Sequence, residues 1–132
     1  MKITLLGDGI TDETDKIQKL IEYAISKGRE LYFPQGTYII TRDIDLSKVR
    51  LPNSSTFKMS GDKDGLSIFD GTSNTEKMLK LIHSGYSGEL DKVQIENIVF
   101  NNIGIEITQR TKKEVIIKNN IFMNGNYTRE KK

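Results

Sequence analysis

The 132-residue chain contains no cysteine, so disulfide frameworks and thiolate metal sites are closed to it and its stability has to come from packing. Strong charge of either sign is missing as well. Twenty Lys and Arg against 18 Asp and Glu leave a net charge of +2, too weak a field to single out nucleic acid or an anionic membrane as a partner. No apolar run approaches membrane-spanning length, and Met1 to Leu6 is too short for the apolar core of a signal peptide. The expectation is one soluble domain, residues 1–132, not exported by a cleaved signal. The single histidine, His83, stands beside Ser84-Gly85-Tyr86-Ser87-Gly88 and reads as a loop residue rather than a general base.

The opening "GDGITDETDK", from Gly7, concentrates acids that suit a metal site, a catalytic site or the start of a helix. Thr11 or Asp12 can serve as N-cap, and Asp12, Glu13 and Asp15 then fall in the first turn, where the helix dipole favours negative charge. Ile17, Leu20, Ile21, Ala24 and Ile25 mark one apolar face, and Gly28 stands where a left-handed C-terminal cap belongs. The spacing predicts a helix from Asp12 to Lys27. A calcium loop would need a closing glutamate and a second helix, and neither is present. The acids are therefore assigned to capping, and neither a metal nor a cofactor is expected.

Beyond the helix the apolar period changes to two. "ELYFPQGTYII" reads as a strand, a turn at Pro34-Gln35-Gly36 and a second strand with Tyr38 and Ile40 on one face. The segments "IDLSKVRL", "STFKMSG", "LSIFDG" and "KMLKLI" follow as short strands bounded by Gly, Asn, Asp or Ser, and Met59, Met78 and Met123 read as core filling.

An internal repeat sets the architecture. "VQIENIVFNN" from Val93 lies over "VIIKNNIFMN" from Val115 without a gap, an offset of 115 − 93 = 22. A period of this size is the mark of a solenoid, with equivalent residues stacked in neighbouring parallel strands. The register stacks Asn97 on Asn119, predicting an amide ladder. It also opposes Asp91 to Lys113, Lys92 to Glu114 and Glu96 to Lys118, as cross-strand charges should be.

These residues resemble the opening of the pectate-lyase-like single-stranded right-handed β-helix superfamily, in the branch shared by bacterial pectinolytic enzymes and phage tailspike or appendage proteins. Asp8, Gly9, Asp12, Thr14, Pro34, Gly36 and Tyr38 match its Gly-Asp-Gly turn, capping helix and first-coil signature, while Glu13 stands where Asp is more usual. "STFKMSGDKDGLSIFDG" is similar to the next coil. The resemblance implies an all-β, short right-handed parallel β-helix of about four coils: residues 1–30 as turn and capping α-helix, 31–127 as coils, 128–132 as a basic tail. It also implies a polysaccharide as ligand.

Chemistry on such a body would use outward carboxylates, alone or with Lys or Arg. The candidates are Asp70, Asp91, Glu96 and Glu106 as catalysts, with Asp62 and Asp64 also carboxylates in reach, and Arg110, Lys118 and Tyr86 as sugar contacts. Solvated surface charge explains the same residues, and Glu96 and Lys118 suffice to pair with each other, so the sequence assigns no active site. The expected function is a phage tailspike or appendage module that binds, and helps depolymerise, host surface polysaccharide. It would sit in the virion tail as a homotrimer or among other virion chains, which also covers the open coil at Ile117 to Phe122. The alternatives are the N-terminal piece of a secreted polysaccharide lyase or glycoside hydrolase, and a purely structural β-helix segment.

Overall fold

The structure, a computed structural model, describes residues 4–45, 55–64, 66–83, 90–107, 111–125 and 127–129. Among the described residues one helix, α1 (Thr14–Lys27), accompanies short strands. The first, β1 (Asp8–Asp12), precedes it, and β2 (Glu30–Phe33), β3 (Gly36–Ile39) and β4 (Ile44–Asp45) follow. Three further triplets come next: β5 (Ser55–Gly61), β6 (Ser67–Asp70) and β7 (Leu79–His83); β8 (Leu90–Glu96), β9 (Val99–Asn101) and β10 (Ile103–Ile107); and β11 (Thr111–Lys118), β12 (Ile121–Met123) and β13 (Tyr127–Arg129).

Among the described residues no two consecutive strands pair with each other. Each triplet sends one strand to each of three sheets, ordered β2-β5-β8-β11, β1-β3-β6-β9-β12 and β4-β7-β10-β13, and every pairing is parallel. The "ELYFPQGTYII" segment is thus a corner between two sheets, not a hairpin. The fold is all-β and parallel β-helix-like. The 22-residue register holds from Lys92 opposite Glu114, through Val93 opposite Val115, to Asn101 opposite Met123. It breaks at Asp91: Leu90 faces Thr111 and Lys92 faces Glu114, with a shift between them. Asp91 therefore sits at an irregularity rather than in the outward charged row.

Period two decides what lies inside. Tyr38, Phe69, Phe100 and Phe122 occupy one register position on four successive strands of the second sheet; Tyr38–Phe69 and Phe69–Phe100 meet edge to face with centroids 5.7 Å apart in both pairs, and Phe100 and Phe122 lie nearly parallel at 5.3 Å. Phe33 adds an edge contact to Phe69 at 4.9 Å. Phe57, Met59, Val93 and Ile95 from the first sheet and Leu79, Leu81, Ile103 and Ile105 from the third complete one continuous core. Ile17, Ile21 and Ile25 of α1 are buried in the same cluster, as their spacing requires. The helix ends where Gly28 adopts φ +66° and its N–H reaches back to the carbonyls of Ala24 and Ile25. Met59 is core, but Met123 points outward and is half exposed, because it shares the outward parity of Ile121 on β12.

Asn97 and Asn119 do a different task from the one expected. Asn97, Asn102, Asn119 and Asn124 all have positive φ, between 57° and 62°. Asparagine tolerates that left-handed conformation better than other non-glycine residues, so these positions are chosen for the corner. Side-chain amides that tie successive turns together belong to Asn120, whose Nδ2 donates to the Ile95 carbonyl at 2.9 Å and whose Oδ1 accepts from Ile98 N at 3.1 Å, and to Asn102, whose Nδ2 donates to the carbonyls of Gly71, Asn74 and Lys77.

Candidate functional site

The acidic opening is built into the fold. Asp8 accepts from the backbone N–H groups of Ile10 and Thr11 at 2.9 and 2.8 Å and from the Thr11 hydroxyl. The bonds from Thr11 and then Ile10 hold its carboxyl below the usual carboxylate range. Asp12 takes Thr14 N at 3.0 Å and the Thr41 hydroxyl at 2.9 Å. Burial pushes the Asp12 carboxyl up, but the hydrogen bonds from Thr14 and Thr41 and the Arg42 charge outweigh it, and the net shift is downward. Glu13, fully buried, accepts from the N–H groups of Leu6 and Gly7. The helix starts two residues later than the spacing predicts, with Glu13 rather than Thr11 or Asp12 at the N-cap and no side-chain bond capping it. The carboxylates are spent on backbone and hydroxyl groups of the N-terminal segment, the helix start and Thr41.

The outward faces of the three sheets differ in chemistry. On the first, Glu30, Lys58 and Gln94 share a row, with Lys58 Nζ 3.5 Å from Glu30. On the third, Lys80 Nζ lies 3.0 Å from Glu106, and Asp43 accepts the Lys80 N–H at 2.9 Å. The second sheet presents a row of Ile68, Val99 and Ile121 beside Ile39, Asp70, Asn101 and Met123.

Between the first and second sheets, where the chain turns at Asn97 and Asn119, a groove of about 800 Å³ opens. Asp62, Lys63, Glu96 and Lys118 supply its charges, Gln94, Asn97 and Asn119 its amides, and Leu66, Val99 and Ile121 an apolar wall. Strand register creates the site: Ser60, Glu96 and Lys118 lie in one row, so the residues that follow them collect at the same corner. Glu96 and Lys118 are neighbours, yet among the described residues no ion pair joins them. Glu96 instead accepts Gln94 Nε2 at 3.0 Å, and Lys118 is exposed in the groove lining.

Of the carboxylates expected from the sequence, the groove brings Glu96 together with Asp62 and leaves the others elsewhere. Asp70 lies on the second sheet, holding Thr72 N at 2.9 Å. Asp91 is half-buried in β8, and Glu106 sits on the third sheet with Lys80. Three sheets therefore share the four proposed catalysts. Arg110 and Tyr86 lie outside the described residues, as does the His83 side chain. Lys63, Gln94, Leu66 and Ile121 carry no motif, and only the placement of the corners reveals them; the 22-residue register, which stacks Glu96 on Lys118, was the signal within reach.

A sequence profile of the family described as rhamnogalacturonase A/epimerase, pectate lyase-like, matches residues 2–89, more than half of the chain. The chain belongs to that family. The match takes in α1 and the triplets β2–β4 and β5–β7, and with them Asp62, Lys63 and Leu66 of the groove; Glu96 and Lys118 follow it. Membership in this pectate lyase-like family points to a polysaccharide-related function. No curated protein and no solved structure matches the chain. Among the described residues no helix is long and apolar enough to cross a membrane.

Proposed function

We propose that this chain is a polysaccharide-binding module of the phage tailspike or appendage type, and that the groove between the first and second sheets is where the glycan lies. The observation that carries the reading is the groove itself: charged groups, amides and an exposed apolar wall converge at a corner of a pectate lyase-like body. The architecture behind it is taken as a right-handed helix of four coils with α1 as its cap. Parallel strands joined through other sheets favour that hand, and the burial of Ile17, Ile21 and Ile25 in the common core favours that role for α1.

In this reading the chain alone has little or no catalytic turnover. Of the four expected catalysts Glu96 alone lines the groove, and its carboxylate companion there, Asp62, has Oδ1 held by the Asp64 N–H at 2.9 Å, whereas a glycosidase needs two working carboxylates about 5 to 9.5 Å apart across the scissile bond. Assembly belongs to the same reading. Ile121 and Met123 on the last strand of the second sheet are 56% and 50% exposed, which suits a homotrimer or another virion chain alongside. The virion tail is the proposed location, and a secreted lyase or hydrolase of which this is one part is the alternative. The experiment is to incubate the protein with purified wall teichoic acid, capsule and polygalacturonate, measuring co-sedimentation, reducing ends and unsaturated-product absorbance. Binding without product supports the module, turnover lost on changing Asp62 or Glu96 replaces it with an enzyme, and no binding leaves a structural segment.

A further inference from the structure

We infer that the groove accepts an uncharged glycan carrying acetamido groups and disfavours a polyuronate; this rests on the reading of the groove as the glycan site. Its charges cancel: Asp62 and Glu96 against Lys63 and Lys118. A polyuronate brings a carboxylate on every ring into a space where two carboxylates already balance two ammonium groups, so Lys63 and Lys118 can meet only the first of its charges and each further one adds like-charge repulsion. An uncharged sugar has no such conflict. Each hydroxyl both donates and accepts, so carboxylates and ammonium groups are both used, in charge-assisted hydrogen bonds.

Asn97 and Asn119 are the complement of the acetamido group. They occupy equivalent corners of successive turns, and among the described residues neither side-chain amide has a hydrogen-bond partner. Each offers one acceptor and an NH₂ donor, the complement of another amide. Leu66 and Ile121, 54% and 56% exposed, stand in the same groove, giving an acetyl methyl and the C–H face of a pyranose an apolar surface. The stacked corners recur at the strand spacing of about 4.8 Å, the scale of one sugar unit, so the glycan would run along the axis of the stack.

The test titrates the whole chain by calorimetry with three probes: the β-1,4-linked tetramer of N-acetylglucosamine, the matching glucose tetramer and tetragalacturonate, at low and high salt. The N-acetylated probe should bind about three- to tenfold tighter than the glucose probe, with tetragalacturonate weakest. Asn119→Gly keeps the left-handed backbone available and removes the amide; it should weaken the N-acetylated probe by more than the glucose probe and so narrow the preference. Glu96→Gln should improve tetragalacturonate. Tightest binding by tetragalacturonate, weakening with salt, would overturn the inference while leaving a glycan groove in place. Equal binding of both uncharged probes, indifferent to Asn119→Gly, would overturn the acetamido assignment. Failure of all three probes to bind would remove the groove reading itself, and this inference with it.

Discussion

Truncating Phe100 to alanine should cost about 3 to 5 kcal/mol, while Phe122→Ala should cost about 1 to 2 kcal/mol. The difference follows from position in the stack. Phe100 is fully buried, with Phe69 on one side at 5.7 Å and Phe122 on the other at 5.3 Å. Its removal leaves a closed cavity and breaks two ring contacts, each worth about 0.5 to 1.5 kcal/mol beyond area. Among the described residues Phe122 has one ring neighbour, and it is only partly buried, so solvent fills part of the space it leaves. Against a total stability of about 5 to 15 kcal/mol the two variants separate clearly in urea titrations read as midpoint shifts at constant slope. Equal costs at the two positions, or a Phe100 cost below about 1 kcal/mol, would refute a continuous aromatic stack through successive turns.

Other expectations concern the corners, the opening and the assembly. A Cβ at Gly61 would lie 2.2 Å from the Asn97 carbonyl oxygen, whereas one at Gly28 meets open space; Gly61→Ala should therefore cost several times the roughly 1 kcal/mol of Gly28→Ala, whose only penalty is its positive φ, measured by the same titrations. Asn120→Ala removes two hydrogen bonds between turns and should cost about 1 to 3 kcal/mol. Asp8 and Asp12 have folded pKa values below their unfolded values near 3.8. Their contribution is therefore present above that pH and is lost as pH falls through the lower folded values; Asp12→Asn should be less stable than the parent at about pH 6, with the gap closing in acid, and a gap constant with pH would contradict the sign. Light scattering should find an oligomer, and a stable monomer at high concentration would count against the assembly reading.

The last two turns were legible because no insertion separates their strands: Val93 and Val115, Ile95 and Ile117, Phe100 and Phe122 keep one offset. Earlier turns hid the same stacking. Phe57 faces Val93 and Ile68 faces Val99, separations of 36 (93 − 57) and 31 (99 − 68) residues, since loops of unequal length lie between strands and destroy the period. Glu13 was misassigned because a first-turn acid has two uses, and only the position of Leu6 and Gly7 shows which one applies. The groove was invisible for a related reason. Asp62, Glu96 and Lys118 lie far apart in the chain and meet because three strands end at one corner, so nothing local in any of them announces a site.

The most direct test of the polysaccharide groove is methyl NMR of the protein labelled at Ile, Leu and Val, titrated with the N-acetylglucosamine tetramer. The account predicts shifts that saturate together at Leu66, Val99 and Ile121, the apolar wall of the groove, with Ile10, 85% exposed on the far strand of the same sheet, unmoved. Shifts centred on Ile10, or saturable binding that leaves Leu66 and Ile121 unchanged, would contradict it.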